Sequence, residues 1–210
     1  MAFGACGVAT TVSTLSVSLS GSTFGFDFNP VPDRLRLVSN TDQNLRINVA
    51  TGATIVDGSL AYSLSDPNAG ANPNIVAAAY INNFAGALTT TLYGIDSALD
   101  TLVIQNPPNA GTLVTVGSLG VNTSALAAFE VLQGGQAFAA LTDPNELTSG
   151  LYSINLNSGA ATFLGQIGGG AAIYGLTAVP EPEEYAAMGG AVLVAFAVYR
   201  RRRQQAPAGK

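Results

Sequence analysis

Few side chains in this sequence have the types and spacing needed for chemistry. In Asp66-Pro67-Asn68-Ala69-Gly70-Ala71-Asn72-Pro73-Asn74, the oxygen-bearing side chains of Asp66, Asn68, Asn72 and Asn74 recur at near-alternate positions around a glycine. A hard cation such as calcium takes oxygen ligands from a loop of this kind. No glutamate closes the loop as an EF-hand requires, and Asn, Asp, Gly and Pro are also the ordinary material of turns, the preferred reading. Arg34, Arg36 and Arg46 hold all the positive charge that precedes Val179. Strand alternation puts Arg34 and Arg36 on one face, where two guanidinium forks could take the carboxylate of an acidic sugar. The neighbouring Asp27, Asp33 and Asp42 could equally engage them, and that structural role is favoured. Asp96 and Asp100 are spaced as a glycosidase pair might be, but the repeat described below sets Asn155 opposite one of them, which argues against catalysis. Gly168 and Gly170 are followed by Ile173 where a nucleotide loop needs its third glycine, so a turn is expected there.

Composition removes further chemistry. The chain has no histidine and a single cysteine, Cys6, so Ser-His-Asp and Cys-His catalysis, histidine metal ligands and an intrachain disulfide are all excluded. No cofactor and no metal are expected. Before Val179, ten acidic side chains face three arginines, a net charge of −7, and the remaining residues add +2 to reach the chain's −5. A body with no lysine and so little positive charge has no face for phosphates, and nucleic acid is not an expected partner.

The elements that would carry these residues repeat. Gly52 to Gly58, Gly111 to Gly117 and Gly159 to Gly165 each enclose five residues of alternating or β-branched character, and Gly7 to Ser13 is a fourth copy with serine at its end. Thr91–Asp100 aligns with Gly150–Gly159 without a gap, and Asn44–Ala53 with one residue fewer. Shorter apolar pieces precede them: Phe24–Phe28, Val76–Ile81 and Leu126–Leu132, with Arg34–Ser39 and Gln136–Leu141 as intermediate strands. Each unit is therefore about four strands, and every proline before Val179 falls between them. The expected fold is all-β, a propeller-like array of four-stranded antiparallel repeats over residues 1–178. Three whole units, a last strand at Gly7–Ser13 and a first strand at Ile173–Val179 make an incomplete array, which suggests self-association through open edges.

Residues 179–184 form a Pro/Glu linker, and residues 185–210 a transmembrane helix with a basic cytoplasmic tail. Tyr185–Tyr199 is free of charge and would span about 22 Å as a helix, short of a bilayer core of roughly 30 Å. Arg200, Arg201, Arg202 and Arg203 then act as stop and orientation signal, leaving the body outside. Val179-Pro180-Glu181-Pro182, the apolar stretch and the four arginines together resemble the PEP-CTERM sorting signal of Gram-negative exopolysaccharide producers. That resemblance implies an exosortase-type processing enzyme as partner, anchorage in the inner membrane before processing, and final location at the cell surface or outside. The body from Phe24 to Val179 resembles a bacterial family of exported β-rich domains of unknown function, on phrases such as DPNAGANPN, AAAYINN and GLYSINLNSGAATFLG. The family's usual longer N-terminus is absent. The expected role is that of a non-enzymatic envelope or extracellular-matrix protein interacting with exopolysaccharide. The alternative is a propeller-type extracellular enzyme acting on sugars or lactones.

Overall fold

A computed structural model of the chain describes residues 10–168 and 172–177. Among them the fold is all-β, with three sheets that follow one another along the chain, none closed on itself. The first sheet is β1 (Phe24–Asn29), β2 (Arg34–Ser39), β3 (Asn44–Ile47) and β4 (Thr54–Val56) in sequence order. The second contains β6 (Ile75–Tyr80), β7 (Leu92–Asp96), β8 (Thr101–Gln105) and β9 (Thr112–Ser118), and the third β10 (Ala127–Val131), β11 (Ala137–Thr142), β12 (Ser149–Ile154) and β13 (Ala161–Gln166). All neighbours within these units are antiparallel. A short strand, β5 (Ala61–Tyr62), adds a parallel fifth member beside β9.

The first strand of each unit lies innermost, with β6 packed between β1 and β10. This position explains why β6 reads Ile-Val-Ala-Ala-Ala-Tyr without polar alternation: all six residues are buried, so neither face needs a hydrophilic side chain. The strands approach closely, and a β-carbon on Gly25 would stand 2.6 Å from the backbone of Ala77 and Ala78. One apolar core joins the first two units through Val38, Ile75, Leu92, Val103 and Leu113, and a second joins the next two through Val76, Ile95, Leu102, Phe129, Leu141 and Ile154.

The repeated glycines serve the junctions between units. Each first glycine begins an outer strand from a left-handed turn: Gly52, Gly111 and Gly159 have φ of 73°, 73° and 81°. In the first and third units an asparagine builds that turn, Asn48 Oδ1 accepting from Ala50 N and Asn155 Oδ1 from Asn157 N. The second glycine then lies against the next unit's turn. A β-carbon on Gly58 would meet Ala110 O at 2.4 Å, and one on Gly117 would meet Ser158 O at 2.1 Å. Two residues further on, Leu60 and Leu119 enter the following core, 3% and 1% exposed. Ser13 and Leu15 repeat the arrangement before the first unit, with Thr14 against Gly52, Ser16 N donating to Gly52 O, and Leu15 packed on Leu37, Leu45 and Ile47.

The four-stranded repeat is thus observed, with one correction to its alignment. Thr91–Asp100 contains β7, the second strand of its unit, whereas Asn44–Ala53 and Gly150–Gly159 contain third strands; the third strand of the middle unit is β8. Both are half-buried strands ending in a turn, so local pattern does not distinguish their places in a sheet. Of the terminal pieces, residues 10–13 and 173–177 carry no strand pairing, although Tyr174, Gly175 and Leu176 line a small cavity with all three innermost strands. The linker 179–184, the helix expected in 185–210 and its arginines lie outside the described residues. Among the described residues, no helix is long and apolar enough to cross a membrane.

Candidate functional site

The arginines sit at the junction of the first two units. Arg36 is 2% exposed and donates to Asp57 Oδ2 and Asn44 Oδ1 through Nη1, both at 2.7 Å, and to Asn109 Oδ1 through Nη2 at 2.7 Å. Arg46 forks onto the same carboxylate, Nε to Oδ2 at 2.7 Å and Nη2 to Oδ1 at 2.8 Å. Burial alone would raise the Asp57 pKa, but the hydrogen bonds from Arg46 and Arg36 together hold it below the usual carboxylate range. Arg34 is exposed and donates to the carbonyls of Asp33 and Pro32. Two of the three guanidinium groups therefore already hold a protein carboxylate, and it is Asp57, not the acids nearer in sequence, that supplies it.

The oxygen-rich loop is fastened to β9. Asp66 Oδ2 accepts from Thr115 N at 2.6 Å, while its Oδ1 accepts from Thr115 Oγ1 at 2.8 Å and from Asn68 N at 2.9 Å. These bonds outweigh the burial that would raise it and keep Asp66 below the ordinary carboxylate range. Asn68 Nδ2 donates to Thr115 Oγ1 and Asn74 Nδ2 to Ser97 Oγ, while Asn72 is exposed. The loop's side chains are aimed at their own backbone and at a strand rather than at a common centre. Asp96 is buried, accepting from Tyr62 Oη at 2.5 Å and from Asn74 and Ala98 amides, and Asp100 accepts from Thr123 N. Both carboxylates are thus bonded to groups of the fold itself.

A different pair of carboxylates shares a cavity. Asp27 on β1 and Glu130 on β10 line a space of about 290 Å³ together with Phe26, Phe28 and Phe129. Phe26 and Phe28 are exposed large apolar side chains, and alternation places them on one face of β1 with Asp27 on the other. Asp27 Oδ2 accepts from Tyr80 N at 2.7 Å across the β1–β6 contact, and Oδ1 from Phe28 N at 2.7 Å. Burial pushes its pKa up against the lowering effect of these amides. Glu130 is also pushed up, by burial first and by the charge of Asp27 second, against a bond from Val131 N. Phe28 also borders a neighbouring cavity of about 480 Å³, lined by Asn29, Asp33, Asn83 and Phe84. The two spaces form a surface of aromatic faces and carboxyl groups at one end of the innermost strands, with volumes near the range of small-molecule sites.

The sequence carries a faint signal for this pair. Phe26-Asp27 and Phe129-Glu130 occupy the same place in the aligned first strands FGFDF and AAFEV, a Phe-acid dipeptide in an otherwise apolar strand. Such a pattern is informative only once both strands are known to border one cavity. No curated protein matches the chain. The model of one family does match, over residues 4–177, which takes in every described strand and the Asp27–Glu130 cavity. The chain belongs to that family, the Domain of unknown function (DUF4394).

Proposed function

We propose that this chain is a non-enzymatic, exported envelope protein that binds neutral glycan at the Asp27–Glu130 cavity. In this reading its three units are blades of a propeller-like array, and residues 179–210 are a PEP-CTERM signal that anchors it in the inner membrane until an exosortase-type enzyme passes it to the surface. The observation that carries the binding proposal is that exposed Phe26 and Phe28 border the same cavity as two carboxyl groups, those of Asp27 and Glu130. A pyranose presents C–H faces and a fringe of hydroxyls. The rings suit the first, and carboxyl oxygens accept hydrogen bonds from the second. The ligand is neutral because the body carries −7 and because two of its three arginines, Arg36 and Arg46, are held by Asp57, so that exposed Arg34 has no second guanidinium beside it for an acidic sugar.

The chain has no histidine, the usual general base near neutral pH, and binding rather than hydrolysis is the reading. Titration of the full chain with cellohexaose and maltohexaose, followed by calorimetry, tests the proposal. Saturable binding of at least one, lost in Phe28→Ala and weakened in Asp27→Asn/Glu130→Gln, is expected. No heat with either sugar, or unchanged affinity in the variants, would sink it.

A further inference from the structure

Among the described residues, the junction device of this fold occurs once more than it is used. Gly58-Ser59-Leu60 and Gly117-Ser118-Leu119 each set a glycine against the next unit's left-handed turn and a leucine into its core. Gly165-Gln166-Ile167 repeats the pattern after the third unit. Its local geometry is already formed: Ile167 N donates to Ser149 O at 3.0 Å, as Leu60 N does to Asp42 O and Leu119 N to Asp100 O. The bulge in β13 beside Gly165 matches the one in β9 beside Gly117. Yet no described atom lies within 4 Å of a β-carbon built on Gly165, and Leu164 is 52% exposed where its counterpart Val116 packs on the second core.

We infer that this rim, Leu164, Gly165 and Ile167, is a docking surface for the first unit of a second copy of this chain. What the rim fits is a left-handed glycine turn opening an outer strand. There are three among the described residues, and those of Gly111 and Gly159 are enclosed in the chain's own junctions. The third, at Gly52, has the asparagine-built form of the Gly159 turn that Gly117 receives. Among the described residues it is covered by Ser13-Thr14-Leu15, in which serine replaces the glycine and Leu15 is half-buried rather than enclosed. The partner's Gly165-Gln166-Ile167 matches the internal pattern better than this strap does and displaces it. Charge does not oppose the contact, since no charged residue occurs from Leu147 to Pro180. Two copies joined at both ends make six units, within the four to eight of closed radial arrays, whereas copies joined at one end continue as a chain.

Two substitutions act in opposite directions. Gly165→Val meets open space within its own chain and leaves the fold's melting temperature unchanged, but it blocks the partner's turn. Leu15→Ala loosens the strap and exposes the Gly52 turn. Size-exclusion chromatography with light scattering, on full chains in the same detergent over a hundredfold concentration range, reads the result. Expected are dimers or longer assemblies for the parent, monomer for Gly165→Val, and a several-fold rise in associated fraction for Leu15→Ala. A parent that stays monomeric, association indifferent to Gly165→Val, or a fall in association for Leu15→Ala would each overturn the inference.

Discussion

Asp57→Ala removes one carboxylate and strands two guanidinium groups of unequal burial. Arg46 is 31% exposed and recovers water, so its own contribution is that of a partly exposed pair, about 1 kcal/mol or less. Arg36 is 2% exposed; it keeps Asn44 and Asn109, but neither neutralises its charge. Removing one partner of a buried ion pair costs about 3–5 kcal/mol, because the remaining charge stays desolvated and uncompensated. That is a large part of a stability of roughly 5–15 kcal/mol. At about 2–4 °C per kcal/mol for a domain of this size, the melting temperature should fall by roughly 6–20 °C. Circular dichroism at neutral pH and moderate salt measures it, with Arg46→Ala as the internal comparison. A loss below about 1 kcal/mol for Asp57→Ala, or equal losses for the two variants, would refute the view that Arg36 is a buried structural cation.

The raised carboxyl groups fix the sign of a pH effect. Groups whose pKa is higher folded than unfolded contribute stability that is complete below the ordinary carboxylate pKa and is lost as pH rises through the folded value. Melting temperature between pH 4 and 8 should therefore decline more in the parent than in Asp27→Asn/Glu130→Gln; parallel profiles would contradict the burial of this pair. Because Asp66 already binds Thr115 and Asn68, calcium should not raise the melting temperature, and a calcium-dependent rise that disappears in Asp66→Ala would show the loop to be a metal site. Gly117→Val places a β-carbon against Ser158 O and should destabilise the fold; a melting temperature as high as that of Gly165→Val would refute the junction geometry. Replacing Arg200, Arg201, Arg202 and Arg203 by glutamate should abolish surface delivery if they orient the tail, whereas undiminished display in cell fractionation would contradict that role.

Much of the architecture is legible because its devices are local. The Gly-x5-Gly spacing reports a turn and a tight junction, and the all-apolar run Ile75–Tyr80 reports a strand buried on both faces. The position of Thr91–Asp100 within its sheet was not legible, since a second and a third strand share the same half-buried alternation. Nor was β5, whose pairing with Thr112 and Leu113 is set by where the chain happens to cross the next unit. The partners of Arg36 were hidden for a related reason: Asn109 is 73 positions away, and nothing at either position announces the other. Asp27 and Glu130 stand in matching strands, but only the packing of β1, β6 and β10 turns two isolated acids into one cavity.

The most direct test of glycan binding at that cavity is fluorine NMR on the full chain, labelled at its nine phenylalanines with 4-fluorophenylalanine and kept in a sugar-free detergent during titration with a neutral hexasaccharide. Phe26 and Phe28 line the proposed site, whereas Phe163 lies exposed on β13, away from it. Resonances assigned to Phe26 and Phe28 by substitution should move and saturate together while that of Phe163 stays fixed. A titration in which no resonance moves, or in which Phe163 moves and the β1 pair does not, would contradict the assignment of this cavity as a sugar site.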